Sequence, residues 1–169
     1  SSKPVSSAII NSLRKLEYRG YDSAGLATLS EGIINEVKSE GRVENLEKNI
    51  AIKNMQGSVG IGHVRWATHG IPNTVNAHPH SSNNVSVVHN GIIENSTILK
   101  KFLISKGHKF KSQTDTEVIV HLITEYLKEN DLKNSIIKML NQLHGSFALG
   151  IIFKDQPDLI VGARRGSPL

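Results

Sequence analysis

Three short segments of this chain combine residues that can hold a charged small molecule with residues that can stabilise a developing negative charge. They are residues 63–70 (HVRWATHG), 89–95 (HNGIIEN) and 114–117 (TDTE). Each lies where a predicted strand ends or a predicted helix begins, and binding and catalytic groups are commonly placed at such positions. We therefore expect the three segments to meet in one site.

Arg65 and Asp115 carry the charges of this predicted site. Arg65 can bind a carboxylate through two parallel hydrogen bonds, a contact worth about 1.5 to 3 kcal/mol that lysine cannot match in geometry. Asp115 supplies the negative charge that an ammonium group needs. Each residue also has an ordinary alternative. The arginine can form a structural salt bridge or lie in solvent, and an aspartate in the first turn of a helix is favoured by the helix dipole.

Asn90 and Gly91 offer hydrogen-bond donors of two kinds. The asparagine side chain has an NH₂ group and the glycine has an unobstructed backbone N–H, and an oxyanion hole is built from such donors. The removal of one donor of this kind typically slows a reaction by about 100- to 1,000-fold. The alternative for an isolated Asn-Gly pair is a hairpin turn.

Hydrophobic periodicity and turn residues predict the elements that position these groups. Helices are expected over residues 5–18, 96–105 and 132–143 and from about Asp115 onward, where Thr114 and Glu117 have the spacing of a capping box. Strands are expected over residues 24–29, 33–37, 59–64, 85–89, 146–153 and 159–163, with a turn at Glu31 and Gly32 and a long loop over residues 66–84. The order of the elements predicts a layered α+β domain.

Composition limits the classes of function. The chain has 169 residues, no cysteine and no apolar run of about 18 residues, so neither disulfides nor a membrane span is expected. The net charge of +5 comes from lysines and arginines scattered along the chain without a nucleic-acid motif, so no nucleic-acid partner is expected. The first residues lack the pattern of a secretory signal, which favours a cytoplasmic protein.

A metal site is an alternative, because five histidines are concentrated in one region of the sequence. They are His63, His69, His78, His80 and His89. Zinc sites usually also contain cysteines or carboxylates at helical or knuckle spacing, and that pattern is missing here. We therefore expect no metal and no cofactor, and we expect these histidines to pack within loops or to lie in solvent.

Together with residues 18–25 (YRGYDSAG), 76–80 (NAHPH) and 166–169 (GSPL), the three segments resemble the glucosamine-6-phosphate synthase family of amidotransferases over nearly the whole chain. The resemblance implies an N-terminal-nucleophile hydrolase fold, an αββα sandwich of two antiparallel sheets between helical layers, truncated at both ends. Residues 1–169 would form an incomplete class II glutaminase domain, and the sugar isomerase half would be absent.

The resemblance also implies roles for individual residues. Arg65 would bind the α-carboxylate of glutamine, Asp115 would bind its α-ammonium group, and Asn90 with Gly91 would form the oxyanion hole. The loop that contains Trp66, Thr68 and His69 would close over glutamine, and Arg19 would position the nucleophile. Ordinary alternatives are a Trp66 that fills the core, a Thr68 and His69 at the surface, and an Arg19 that merely follows a helix.

The family's nucleophile is an N-terminal cysteine, which the resemblance places about seven residues before Ser1. The implied reaction releases ammonia from glutamine for transfer to fructose 6-phosphate, in a protein that is a homodimer through the absent half. The chain alone would then be inactive. Two alternatives are a module that binds glutamine or glutamate without turnover and the glutaminase domain of a related amidotransferase with another acceptor. A purely structural relic is a third.

Overall fold

A computed structural model describes residues 4–53, 55–66 and 71–168 of the chain, with Arg19 and Ile52 described by their backbone alone. The helices are α1 (Val5–Leu16), α2 (Val43–Lys53), α3 (Ser96–Ser105), α4 (Glu117–Tyr126) and α5 (Leu132–Gln142), and a 3₁₀ turn (Glu17–Arg19) extends α1. The strands are β1 (Ser23–Ser30), β2 (Ile33–Glu40), β3 (Val59–Arg65), β4 (His80–Ser81), β5 (Val85–Ile93), β6 (Gly145–Phe153) and β7 (Ile160–Arg165).

The first sheet is antiparallel, with the strand order β2-β1-β3. Its hairpin turns at Glu31 and Gly32, both with positive φ, as the sequence predicts. The central strand β1 is buried along almost its whole length, and its first residue, Ser23, pairs with Arg65 at the end of β3. This register fixes the position of Arg65 next to the start of β1.

The second sheet is also antiparallel, with the strand order β4-β5-β6-β7. Strand β5 continues past His89 to Ile93, so Asn90 and Gly91 lie within the strand and pair with Ala148 and Phe147 of β6. The hairpin-turn alternative for the Asn-Gly pair is therefore wrong. The positive φ that the dipeptide predicts is present at Gly91, but it occurs within the hydrogen-bonded pairing of β5 with β6.

The two sheets face each other between helical layers. Helices α1 and α2 cover the first sheet around Leu13, Leu26 and Leu46, whereas α3, α4 and α5 cover the second sheet. Ile61 and Ile152 meet between the sheets. This arrangement confirms the αββα sandwich, and no helix in the described ranges is long and apolar enough to cross a membrane.

Strand β6 illustrates how the pattern of the sequence produces the core. Its alternating apolar side chains all belong to the buried cluster beneath the helices; they are Phe147, Leu149, Ile151 and Phe153. The predicted shared face is confirmed. Burial of each such side chain contributes roughly 1.5 to 3 kcal/mol relative to exposure.

Helix α2 is absent from the sequence prediction. Its apolar positions, Val43, Leu46 and Ile50, do have helical spacing, and Val43 and Leu46 are fully buried. Charged and polar residues separate these positions, and the apolar run is short. The helical stripe is therefore weak in the sequence. The i, i+3, i+7 spacing was the signal that could have revealed the helix.

The capping box predicted from Thr114 and Glu117 does not form. Helix α4 begins at Glu117, and this carboxylate accepts hydrogen bonds from the backbone N–H groups of Lys111 and Ser112 and from the Ser112 hydroxyl, at 2.9, 2.7 and 2.6 Å. Glu117 thus fastens the preceding loop to the helix start, which a spacing rule alone does not reveal.

Candidate active site

Arg65 ends β3 with a side chain that is only 5% exposed. Its Nη1 lies 3.9 Å from Oδ1 of Asp22, and the Asp22 backbone N–H donates to the Arg65 carbonyl at 3.2 Å. The Ser23 hydroxyl donates to the same carboxylate oxygen of Asp22 at 2.7 Å. The guanidinium is therefore held at the sheet edge beside the Asp22 carboxylate. This contact is the structural salt bridge that the sequence left open as an alternative for Arg65.

Asp115 lies in the loop just before α4 and is partly buried. Its Oδ2 accepts a hydrogen bond from the backbone N–H of Ile93 at 2.7 Å. Because Ile93 ends β5, this bond fastens Asp115 to the strand that carries Asn90 and Gly91.

Gly91 can only be glycine in this backbone. Its φ is +127°, a region that side chains rarely adopt, and an added Cβ would lie 2.1 Å from the carbonyl oxygen of Ser146. The close approach of the two strands at this point excludes a side chain. The requirement for glycine is therefore structural, whatever else its backbone N–H does.

Asn90 is exposed, and its Oδ1 lies 2.8 Å from Nε2 of His63 on β3. His63 and Arg65 are two residues apart on β3 and so share one face of the strand, and this contact brings that face to the strand of the other sheet that carries Asn90 and Gly91. Asn90, Gly91, Arg65 and Asp115 are thereby brought into one region of the molecule. His63 was not among the residues predicted for the site.

A pocket of about 540 Å³ opens beside Asn90 and His63, with Trp66 and Ser167 also in its wall. Trp66 is 69% exposed, so the alternative in which it fills the core is wrong. Its side chain packs against Gly20, where an added Cβ would lie 2.8 Å from the Trp66 Cβ. The indole therefore stands at the mouth of the pocket.

Three of the predicted site residues lie wholly or partly outside the described part of the chain. Thr68 and His69 lie outside the described residues. Arg19 closes the 3₁₀ turn after α1, and its side chain likewise lies outside the description.

Four histidines form a continuous cluster next to this site. His78 stacks on His63 with ring centroids 4.4 Å apart. Its ring centroid lies 5.0 Å from that of His80 in a T-shaped arrangement and 6.4 Å from that of His89, whose ring is tilted by 27°. His78, His80 and His89 are at most 5% exposed. The expectation that these residues lie in solvent is wrong for those three, although the expected packing within loops holds for His78.

Burial keeps these rings neutral. It lowers the pKa of His63, lowers that of His78 far more, and lowers those of His80 and His89 to about 3 and about 4. The nearby Lys38 further lowers the pKa of His80, whereas the Asp115 carboxylate acts in the opposite direction on His89. A neutral imidazole donates one hydrogen bond and accepts another, which suits it to link polar groups inside a protein.

The neutral rings connect β4 and β5 to the loop that carries Asp115. Nε2 of His80 lies 3.0 Å from the Thr114 hydroxyl, and Nδ1 of His89 lies 2.9 Å from the Thr116 hydroxyl. The backbone N–H of His89 donates to Nδ1 of His78 at 3.2 Å. The two threonines on either side of Asp115 are thus both held by buried histidines.

The chemistry of this cluster differs from that of a metal centre. Among the residues that the structure describes, no group of three or more histidine, aspartate or glutamate side chains is arranged to hold a metal ion. One nitrogen of each of the four rings contacts a hydroxyl, amide or backbone group instead.

Comparison with known proteins identifies the family. A family model described as "Glutamine amidotransferase domain" matches residues 63–166. Over 169 residues the chain is 52% identical to the glutamine–fructose-6-phosphate aminotransferase [isomerizing] of Clostridium acetobutylicum, covering 99% of this chain and 28% of that protein. Over 166 residues it is 49% identical to the protein of the same name from Zymomonas mobilis, covering 98% and 27%.

Solved structures agree with this assignment. The glutamine phosphoribosylpyrophosphate amidotransferase of B. subtilis, complexed with ADP and GMP, matches with a TM-score of 0.78 and 29% identity, covering 89% of this chain and 33% of that one. A glutamine aminotransferase class-II domain protein from Silicibacter pomeroyi matches with a TM-score of 0.63 over 87% of this chain and 70% of that one; at 16% identity it shows the fold alone.

The αββα sandwich is thus the N-terminal-nucleophile fold of the glutamine amidotransferases. The chain spans little more than a quarter of the length of the curated relatives that it matches. On the family match and the shared fold together, the chain belongs to the family of glutamine amidotransferase domains.

Proposed function

We propose that this chain holds glutamine while the side-chain amide is hydrolysed to glutamate and ammonia. The observation that carries the proposal is the linkage of the three segments that carry Arg65, Asn90 and Asp115. His63 links the strand of Arg65 to Asn90, and Ile93 links the strand of Asn90 to Asp115. An amino acid with a side-chain amide requires a cation, an anion and an amide-type donor on linked segments of this kind.

Each proposed contact follows from charge and donor type. The Arg65 guanidinium binds the α-carboxylate, and Asp115, whose second oxygen is held by Ile93, binds the α-ammonium group. The Asn90 NH₂ group and the Gly91 N–H stabilise the oxyanion. Trp66, exposed at the pocket mouth, belongs with Thr68 and His69 to a segment that closes over glutamine, and Arg19 positions the nucleophile.

The attacking group in this proposal is a cysteine thiolate supplied by a residue outside residues 1–169, because this chain has no cysteine. The sulfur attacks the amide carbon, and the carbonyl oxygen becomes the oxyanion. Collapse of this intermediate breaks the C–N bond, and the nitrogen leaves as ammonia after accepting a proton. Water then hydrolyses the thioester to glutamate and restores the thiol.

The acceptor of the ammonia is proposed from the relatives. Their name implies fructose 6-phosphate, so we propose glucosamine 6-phosphate as the product, formed in a sugar isomerase half outside this chain. Residues 1–169 are then an incomplete glutaminase domain of a cytoplasmic homodimer. Formation of glucosamine 6-phosphate from fructose 6-phosphate by the full-length gene product tests this acceptor.

Glutamate release tests the proposed function itself. The full-length gene product should release glutamate from glutamine, whereas the 169-residue chain should release none. Robust turnover by the 169-residue chain would place the nucleophile within it and contradict the proposal. Binding of glutamine by the full-length product without any glutamate release would favour a binding module instead.

A further inference from the structure

We infer that His63 is a positioning residue that fixes the orientation of the Asn90 side-chain amide, so that its NH₂ group faces the pocket. The inference rests on the proposed function, in which that NH₂ group stabilises the oxyanion. His63 does not touch the substrate in this account. It acts through the 2.8 Å contact between its Nε2 and Oδ1 of Asn90.

The ring of His63 is held in place from its face. The His78 imidazole stacks on it at 4.4 Å with an interplanar angle of 21°. His78 is itself fixed, because its Nδ1 accepts the backbone N–H of His89, the neighbour of Asn90 on β5. The strand that carries Asn90 thus also orients the ring that supports His63.

The position of the proton on His63 follows from its surroundings. Burial lowers the pKa of His63, although the hydrogen bond with Asn90 and, to a smaller extent, the nearby backbone of His89 partly oppose this effect. The neutral ring has one N–H. Its Nδ1 is buried and has no hydrogen-bond partner among the described residues. A buried N–H without an acceptor is rarer in proteins than an acceptor without a donor, so the proton lies on Nε2.

A protonated Nε2 can only donate, and within the Asn90 amide only Oδ1 accepts. The amide is therefore locked with its oxygen toward His63 and its NH₂ group on the opposite side, in the pocket that both residues line. A reversed amide would present an oxygen to the developing oxyanion and repel it. Such prior orientation of the donor makes its stabilisation of charge effective.

Kinetics of the full-length gene product test this role. His63→Leu keeps the apolar volume but removes the donor, and we expect it to lower kcat by at least about 10-fold with KM changed by less than about twofold. His63→Gln places an N–H at the reach of Nε2, so it should recover most of the lost kcat. His63→Asn is polar but too short to reach Asn90 and should not.

Coupling to Asn90 separates positioning from a general structural role. Asn90→Ala should itself lower kcat by about 100- to 1,000-fold. In that background His63→Leu should change kcat by less than about twofold, because the amide it orients has gone. The exposed His144→Gln serves as the matched control and should leave kcat unchanged.

Equal losses of kcat in both backgrounds, or an increase in KM alone, would overturn the inference while leaving the glutaminase activity established. A wild-type product without glutaminase activity would instead overturn the proposed function. If His63→Leu does not fold, as judged by thermal unfolding, the comparison of His63→Gln with His63→Asn decides, since equal kcat for the two would contradict a donor role.

Discussion

The carboxylate of Asp115 accepts a hydrogen bond from the backbone N–H of Ile93 at 2.7 Å. Ile93 lies two residues after Gly91 on strand β5. This bond couples the loop that precedes α4 to the strand that carries the proposed oxyanion donors. In the proposed function Asp115 therefore has two tasks that mutation can separate. One oxygen maintains the geometry of the loop, and the charge of the group is available to a substrate ammonium.

Substitution of Asp115 should separate these tasks. Asp115→Asn keeps an oxygen that accepts the Ile93 N–H but removes the charge, so KM for glutamine should rise by at least about 10-fold with thermal stability almost unchanged. Asp115→Ala removes both and should raise KM and also lower the unfolding temperature. Steady-state kinetics and thermal unfolding of the full-length gene product measure the two effects.

The complementary variant is Asn90→Ala, which should mainly lower kcat and leave KM nearly unchanged, because its donor acts on the transition state. Trivial effects of equal size from Asp115→Asn and Asn90→Ala would refute the assignment of both residues to the site.

Replacement of Gly91 tests the tight approach of β5 to β6. An added Cβ would lie 2.1 Å from the Ser146 carbonyl oxygen at a φ of +127°, so Gly91→Ala should lower the free energy of unfolding by more than about 3 kcal/mol or prevent folding. Urea unfolding of the 169-residue chain followed by circular dichroism provides the measurement.

Gly107 supplies the matched control for this variant. Its φ is +90° and an added Cβ would meet nothing within 4 Å, so Gly107→Ala should lower the free energy of unfolding by about 1 to 2 kcal/mol through backbone strain alone. Similar losses for the two variants would mean that the strands can separate at Gly91 and that a side chain fits there.

Acid should destabilise the fold through the buried histidines. Burial lowers the pKa of His80 to about 3 and that of His89 to about 4, whereas in the unfolded chain both groups bind a proton near pH 6.5. The unfolded state therefore binds more protons, and the free energy of unfolding falls as the pH falls from about 6.5 toward 4. Each unit of difference between the folded and unfolded pKa of a group changes the free energy of unfolding by up to about 1.4 kcal/mol.

Glu117 extends this loss to lower pH. Burial acts to raise its pKa, but the nearby His121 and the hydrogen bonds from Ser112 and Lys111 outweigh burial and lower it to about 2. A carboxylate with a lowered pKa stabilises the fold above its unfolded pKa of about 4.5, and that contribution is lost as the pH falls toward 2.

Urea midpoints at pH 7, 6 and 5 check the contribution of the histidines separately from that of Glu117. His89→Gln should reduce the change in midpoint between pH 7 and 5, and the exposed His144→Gln should leave it as in the wild type. A midpoint independent of pH in this range would show that the buried histidines are already protonated or become solvated at little cost.

The sequence predicts the periodic elements of this fold well, because their residues face a core that their own spacing defines. Helix α3 (Ser96–Ser105) matches its prediction, since Leu99 and Leu103 are buried on one face. Long-range pairing is less predictable. Asn90 and Gly91 have the local chemistry of a turn, and only their pairing with Ala148 and Phe147 of β6 keeps them in a strand.

The polar interior was the least predictable part of the site. No sequence pattern marks a loop histidine as buried. In the fold, one nitrogen of each of His78, His80 and His89 lies within hydrogen-bond distance of a hydroxyl of Thr114 or Thr116, which are distant in the sequence. The motif resemblance suggested Arg65, Asn90 and Asp115 individually. Their linkage through His63 and Ile93 required the packing of the two sheets.

The most direct test of the central claim is a crystal structure of the full-length gene product with L-glutamate, the product of the proposed hydrolysis. The α-carboxylate should lie on the Arg65 guanidinium and the α-ammonium group on Asp115, with the side-chain carboxylate directed toward Asn90 and Gly91. Glutamate bound elsewhere, or bound with its α-ammonium group away from Asp115, would contradict it.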